Sequence, residues 1–252
     1  MAERVTAGPA GSPGVPEPAP AIEPPTTPDR RGLVELAVGF ALALGGMIAF
    51  ALVAGDMYDQ EAVALDQWAG PFLHSISSPG LDALMNAITT LGSELVLAPV
   101  AVLSIGYLLA RRHRARALFL TTVIGGSVAL NGLLKVTVQR PRPMLPWAHV
   151  LPDYSFPSGH TMNSLALYGA IALLVWAARG RRTGVLAVLF ALGVTLAIAF
   201  SRIYLGYHYL SDVAGGVAAG LAWLLVVALA FEAIPRTPAW RRRMGGRARR
   251  AA

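Results

Sequence analysis

The chain of 252 residues contains no cysteine, so it has no disulfide, no thiolate nucleophile and no cysteine-based metal site. Lysine is nearly missing as well, because Lys135 is the one lysine among 21 basic residues. Charged residues make up only 14% of the chain, against about 25% in soluble domains. This shortage of charge argues against an ordinary soluble globular domain.

Hydrophobic residues are correspondingly abundant and form 55% of the chain. A helix needs about 20 apolar residues to cross a bilayer core. Runs of suitable length and composition lie at approximately 33–54, 94–110, 117–137, 161–178, 184–203 and 210–233. We therefore predict an all-α polytopic membrane protein, with six transmembrane helices in a bundle.

The segment 57–92, between the first two runs, is predicted to be a connector with amphipathic pieces. It contains the string LDALMNAITTL, whose apolar residues recur at helical spacing and fall on one face of a helix. These pieces are expected to lie at the membrane surface or against the bundle. A lid or lateral gate for a lipid tail is the alternative, since loops often carry function.

Both ends of the chain differ in composition from the six-span domain, which is assigned to residues 32–234. Residues 1–31 are rich in proline, alanine and glutamate and are predicted to form a disordered cytoplasmic tail without a signal peptide. Residues 235–252 carry the string RRRMGGRARR. This basic cytoplasmic tail is expected to contact anionic lipid of the inner leaflet and not nucleic acid.

Arginine placement predicts the orientation in the plasma membrane. If six spans alternate, 17 of the 21 basic residues fall on one side, which is then cytoplasmic together with both termini. The other four are Lys135, Arg140, Arg142 and Arg202, at or just beyond the outer ends of spans 3 and 5. The outer loops are otherwise acidic, with Asp66, Asp153 and four further carboxylates. Basic residues are normally rare on the outer face of a membrane protein. The four that lie there therefore indicate a binding site for an anion.

Three separate strings bring titratable residues to this same outer end. The first, KVTVQRPRP, has six residues between Lys135 and the pair Arg142-Pro143. The second is PSGH at 157–160, and the third, SRIYLGYHYLSD, contains Arg202, His208 and Asp212. Residues that are far apart in sequence and meet at one depth are typical of an active site on a helical bundle.

The residue types favour phosphoryl chemistry. His208 and Asp212 are four apart, so on a helix they would share a face, and the carboxylate would fix the imidazole tautomer of a nucleophile. Lys135, Arg142 and Arg202 can stabilise the charge that spreads over a transferring phosphoryl group.

The PSGH string is expected at the start of span 4. There the N–H groups of Ser158 and Gly159 would point at an oxyanion, and Ser158 would also cap the helix. His160 would protonate the leaving group as a general acid.

Together, Lys-x6-Arg-Pro, Pro-Ser-Gly-His and Ser-Arg-x5-His-x3-Asp resemble the three-part signature of the type 2 phosphatidic acid phosphatase superfamily, over roughly residues 80–232. The resemblance implies a lipid phosphatase without metal or cofactor. It also implies that His208 attacks phosphorus and that His160 is the general acid. Lys135, Arg142 and Arg202 would bind the phosphate. Candidate substrates are polyprenyl diphosphate (ranked first, as undecaprenyl diphosphate), phosphatidic acid and phosphatidylglycerol phosphate.

Three rival functions remain open at this point. A lipid phosphotransferase would use an alcohol instead of water as the acceptor. A phospholipid transporter would place its site near the bilayer midplane, between repeated halves. A vanadate-dependent haloperoxidase would share the site residues, but those relatives are soluble.

Several residues outside the three strings are given structural roles. Arg140 is predicted to be a solvated loop cation, and His74 a surface residue like the other histidines outside the motifs. Asn131 is expected to hydrogen-bond within the bundle. Glu94 is expected to be an interfacial carboxylate or a partner of the outer cations.

Overall fold

A computed structural model describes residues 30–56, 59–149 and 151–233, and these residues form helices without any strand. The helices are α1 Arg30–Asp56, α2 Gln60–His74, α3 Pro79–Thr90, α4 Glu94–Ala110, α5 Arg114–Val138, α6 Gly159–Arg179, α7 Arg181–Tyr204 and α8 Leu210–Ala233. The predicted tails lie outside the described residues, except that residues 30 and 31 begin α1.

Six helical segments of the described chain are long and apolar enough to cross a membrane, which confirms the predicted number of spans. The second span differs from the prediction because it runs from Pro79 to Ala110 and combines α3 with α4. Helix α3 begins early because Ser78 caps it, with Oγ accepting from the N–H of Leu81 at 3.3 Å, and Pro79 follows at the first helical position. The predicted connector therefore contains α2 and the first part of a span.

The outer surface of the bundle is apolar, as a lipid environment requires. Large side chains such as Leu95, Leu103 and Phe190 are at least 70% exposed. In water such a surface would be unfavourable, whereas in hydrocarbon it needs no partner because helices satisfy their own backbone hydrogen bonds.

Helices α6 and α8 pack closely because α8 presents two glycines, four residues apart, to α6. A Cβ on Gly216 would lie 2.8 Å from the carbonyl oxygen of Ser158, and one on Gly220 would lie 2.9 Å from that of Met162. Small residues at this spacing let two membrane helices approach backbone to backbone. The first turns of α6 and α8 are thereby held side by side.

The order of the helices brings all three motifs to one end of the bundle. Helices α5 and α7 end there, and α6 and α8 begin there. Helix α5 stops at Gln139, which adopts the left-handed conformation with φ 53°, and its N–H donates to the carbonyl of Lys135 at 2.9 Å. The following loop crosses the same end before α6 begins, so residues of every motif can meet.

Candidate active site

A histidine and a carboxylate pair at the start of α8. Nδ1 of His208 lies 3.3 Å from Oδ2 of Asp212, and the two residues are 2% and 0% exposed. The predicted contact is present, but the expected shared helix is wrong. His208 lies in the turn before α8, and only Asp212 lies on the helix.

Asp212 is held by several donors at once. Its Oδ2 accepts from the backbone N–H of Tyr209 at 2.9 Å and from the hydroxyl of Ser155, and its Oδ1 accepts from Nη1 of Arg140 at 2.6 Å. The bond to Tyr209 satisfies a free N–H group at the start of α8, as the acidic residue of a capping box does. Asp212 therefore caps its helix and orients His208 at the same time.

The hydrogen bonds of His208 assign its tautomer. Nη1 of Arg142 lies 3.1 Å from Nε2 of His208, and a guanidinium can only donate. Nε2 therefore carries the lone pair, and Nδ1 carries the proton that is directed at Asp212. Burial lowers the pKa of His208 to about 4, and the contact with Asp212 offsets only part of this effect. Near neutral pH the ring is uncharged, the form that a nucleophile needs.

Two predicted phosphate ligands are brought together by a carboxylate that the sequence shows only as one of several outer-loop acids. Asp153 forms ion pairs with Lys135 and with Arg142, whose Nη2 lies 2.7 Å from Oδ1. The Asp153 side chain is 50% exposed. Burial alone would raise its pKa, but hydrogen bonds and charge from Lys135 and Arg142 lower the pKa to about 2. An acid in the loop that follows the cations of the first motif was the available signal.

Arg202, the third predicted phosphate ligand, is 4% exposed near the end of α7. Its Nη1 donates to Oγ1 of Thr89 at 3.0 Å, and its guanidinium stacks on the ring of Tyr207 at 4.2 Å. Its Nε atom has no hydrogen-bond partner among the described residues. A buried donor without a partner is costly, so Arg202 is suited to bind an anion.

The predicted general acid lies at the same end of the bundle. His160 is in the first turn of α6, which begins where α5 and α7, the helices of Lys135 and Arg202, end. No hydrogen bond joins the His160 ring to another described residue. His160 is therefore free to exchange a proton with a bound substrate.

One part of the predicted oxyanion site needs correction. The N–H of Ser158 donates to the backbone carbonyl of Asp212 at 2.9 Å, so it cannot point at a substrate. The Ser158 hydroxyl makes no capping bond and instead accepts from Oγ1 of Thr161 at 3.1 Å. Of the two predicted donors, Gly159 keeps its position as the first residue of α6, where a backbone N–H has no acceptor within its own helix.

Gly159 is required by close packing against α5. A Cβ on it would lie 2.9 Å from Oδ1 of Asn131. Nδ2 of Asn131 donates to the carbonyl of Pro157 at 3.2 Å, which confirms the expected role of this side chain within the bundle. The amide thereby fixes the PSGH backbone against the helix that carries Lys135.

The prediction for Arg140 is wrong. Its side chain is buried, and it joins two buried carboxylates, because Nη2 donates to Asp66 at 2.7 Å and Nη1 to Asp212 at 2.6 Å. Asp66, predicted to be an outer-loop acid, is 5% exposed and also accepts from the backbone N–H of Ser211 at 2.8 Å. Burial alone would lower the pKa of Arg140, but Asp212 and Asp66 together raise it.

The expectation for His74 is corrected by the structure. Its ring is partly buried and stacks on Trp147 at 4.2 Å, so it is not an open surface residue. Glu94 is exposed, and no described ion pair joins it to Lys135 or Arg142, so of its two expected roles that of an interfacial carboxylate stays a prediction. Within the described residues no group of three His, Asp or Glu side chains could hold a metal ion. The expectation of a site without metal stays a prediction.

Comparisons with known proteins agree on one family. Residues 116–236 match the model of the PAP2 superfamily. Phosphatidylglycerophosphatase B of Bacillus subtilis is 30% identical over 198 residues, which cover 74% of this chain and 93% of that protein. Undecaprenyl-diphosphatase BcrC of the same organism is 32% identical over 150 residues, which cover 56% of this chain and 70% of that protein.

A solved structure shows the same fold. The crystal structure of a transmembrane PAP2 type phosphatidylglycerolphosphate phosphatase from Bacillus subtilis superposes with a TM-score of 0.72 at 26% identity. The match covers 77% of this chain and 98% of that chain.

Proposed function

The chain belongs to the PAP2 superfamily, and we propose that it hydrolyses a lipid phosphate or diphosphate through a phosphohistidine intermediate on His208. The observation that carries this proposal is the state of the His208 ring. Its Nδ1 is directed at Asp212, and its Nε2 lies 3.1 Å from Arg142, among the predicted phosphate ligands.

In the first step Nε2 of His208 attacks phosphorus in line with the leaving oxygen. Arg142 exchanges its contact with Nε2 for a phosphate oxygen, and Lys135 and Arg202 neutralise the remaining charge. The P–O bond breaks, and the leaving oxygen takes a proton from His160.

In the second step water attacks the phosphohistidine. His160, now neutral, accepts a proton from this water, and the P–N bond breaks. Free phosphate leaves, and His208 returns to the neutral ring that Asp212 orients. One water is consumed for each ester or anhydride bond that is cleaved.

The substrate class follows from the family and the membrane setting. The relatives named for phosphatidylglycerol phosphate and undecaprenyl diphosphate support a phosphate group on a lipid anchor, and we place both lipids first for testing. The cations gather at one end of the bundle and not at its midplane, which disfavours the transporter reading.

The test is phosphate release by detergent-purified protein in the presence of EDTA. The panel contains phosphatidylglycerol phosphate, undecaprenyl diphosphate and phosphatidic acid, with His208→Ala as the blank. We expect release from at least one lipid. If folded protein releases none but transfers phosphate to an added alcohol, the phosphotransferase reading replaces hydrolysis. Loss of all release in EDTA, with recovery on adding metal, would contradict the metal-free mechanism.

We also propose that the catalytic end faces outward, as the arginine distribution favours. Because the chain has no cysteine, single cysteines report orientation without background. Met144, in the loop at the catalytic end, is 94% exposed, and Arg112 is exposed at the other end. Met144→Cys should react with an impermeant maleimide in intact spheroplasts, and Arg112→Cys only after permeabilisation. The reverse pattern would contradict the orientation.

Removal of the Asp153 carboxylate is expected to strengthen phosphate binding. The substitution Asp153→Asn frees Lys135 and Arg142 from a competing charge. Because Asp153 is half-exposed, the gain should be modest, and the inhibition constant of inorganic phosphate should fall by roughly two- to fivefold. Glu94→Gln removes an exposed charge at the same end without an ion pair to these cations and should leave the constant unchanged. Weaker inhibition in Asp153→Asn would mean that Asp153 chiefly positions the cations.

The depressed pKa of His208 can be measured directly. Since burial lowers this pKa to about 4, the ring should stay neutral from pH 8 down to about 5 and gain its proton only in more acidic solution. Ring ¹⁵N shifts in detergent, assigned by the signal missing in His208→Ala, give the midpoint. A midpoint near the ordinary value of about 6.5 would contradict the buried, neutral nucleophile.

A further inference from the structure

A groove lies at the end of the bundle opposite the catalytic residues. It has a volume of about 480 Å³ and is formed where α4 ends, α5 begins and α6 ends. Along α6, 18 residues separate His160 from Ala178 in its lining. At 1.5 Å per residue this is about 27 Å, close to the thickness of a bilayer core of about 30 Å. The groove therefore lies at the headgroup layer of the other leaflet.

The groove has an apolar floor and a basic mouth. Leu108 and Leu120, which are 8% and 0% exposed, close its depth, and further apolar side chains of α4 and α6 form the walls. The mouth carries four basic side chains, which are Arg111, His113, Arg116 and Arg179. The lining contains no carboxylate. This combination matches an ester-linked acyl chain below a negatively charged headgroup.

Two of the charges at the mouth, Arg111 and Arg179, have no counterion among the described residues. The first turn of α5, where the helix dipole is positive, contains no acidic residue and holds Arg114 and Arg116. Burial, and then the charges of Arg116 and Arg111, lower the pKa of His113. An external anion at this place would relieve the repulsion.

We infer that this groove binds an anionic phospholipid of the cytoplasmic leaflet. Its phosphate lies between Arg111 and Arg179, and one acyl chain lies in the groove between α4 and α6, over Leu103 and Leu174. The acyl chain distinguishes a bound lipid from a free anion, because a free anion would leave the apolar floor of the groove unfilled. A lipid that bridges the ends of α4 and α6 stabilises the folded bundle by mass action.

The experiment uses full-length His208→Ala protein in dodecyl maltoside, so that no lipid is turned over. Saturating inorganic phosphate is present throughout, because it occupies the catalytic cations. Dioleoylphosphatidylglycerol is added and compared with dioleoylphosphatidylcholine, and both the Tm and bound lipid by native mass spectrometry are recorded. We expect binding and a raised Tm with phosphatidylglycerol and neither with phosphatidylcholine.

The double variant Arg111→Gln/Arg179→Gln should weaken phosphatidylglycerol binding by roughly 30-fold, because each variant side chain loses a hydrogen bond to the lipid phosphate, worth about 1 kcal/mol. Arg112→Gln/Arg114→Gln removes the same charge from the same end but lies outside the groove lining, so it should bind like the parent. Equal losses in both double variants would overturn a specific site and leave only general surface attraction.

A second variant tests the apolar half of the site without changing charge. Ser104, in the wall of the groove, is partly buried, and Ser104→Phe adds volume there. It should also reduce phosphatidylglycerol binding. Unchanged binding in Ser104→Phe would overturn a lipid site. So would a Tm rise on adding inorganic phosphate to separate lipid-free and phosphate-free protein, if Arg111→Gln/Arg179→Gln abolishes that rise. None of these readouts depends on catalysis, so they fail or succeed separately from the proposed function.

Discussion

His208→Ala is expected to lower kcat by about 10⁴-fold or more, since the reaction loses its nucleophile. The remaining cations, Lys135, Arg142 and Arg202, still bind phosphate, so KM should change far less than kcat. The measurement is steady-state phosphate release from the best lipid of the panel, at enzyme concentrations high enough to detect residual turnover.

The control for this variant is His149→Ala. His149 is exposed in the loop at the same end of the bundle, so its removal should leave kcat within about twofold. Comparable Tm values would show that both variants fold. Ordinary activity in folded His208→Ala protein would contradict the proposed mechanism.

Arg140→Met is expected to destabilise the fold by about 3–5 kcal/mol, because it leaves Asp66 and Asp212 buried without their shared cation. The same substitution should also change the electrostatics of the active site. With the guanidinium gone, the negative charge of Asp212 is less compensated, so the pKa of His208 should rise. Chemical unfolding in detergent gives the first quantity, and ring ¹⁵N titration of His208 gives the second.

The matched variants are Asp66→Asn and the pair Arg140→Met/Asp66→Asn. If the two residues act as one buried pair, the double variant should be clearly less destabilised than the sum of the single variants. A purely structural role would lower stability and leave the pKa of His208 unchanged. In that case Arg140 would not be a positioning residue for Asp212.

The sequence predicted the spans and the motifs well because both are local signals. Apolar runs of bilayer length depend only on composition, and six such segments are present. The motifs follow from spacing within single strings, and the alternation of spans alone brings Lys135, His160 and His208 to one end. Neither inference needs a knowledge of side-chain packing.

Contacts between distant segments could not be predicted in the same way. Asp66 and Arg140 are 74 residues apart and meet because α2 packs against the ends of α7 and α8. In the ion pair each residue neutralises the charge of the other, and this allows both to be buried. From the sequence alone, each was expected to be exposed to solvent. The N–H of Ser158 is a similar case, because its acceptor is a carbonyl at the start of another helix.

Local geometry at helix ends was the other source of error. The four-residue spacing of His208 and Asp212 suggested one helix, but α8 begins at Leu210, after the histidine. The contact is nevertheless kept, because Asp212 in the first turn reaches back to the N–H of Tyr209 and to the ring before it. A capping carboxylate and a helical pair have the same spacing in the sequence.

The most direct test of the central claim is to trap the phosphohistidine. Purified protein is mixed with a substrate that carries ³²P in its terminal phosphate, quenched in alkali within milliseconds, and analysed by peptide mapping. We expect an alkali-stable, acid-labile label on the peptide that contains His208, formed and lost at rates that match turnover, and absent in His208→Ala. Turnover of the same substrate without any label on that peptide would contradict nucleophilic catalysis by His208.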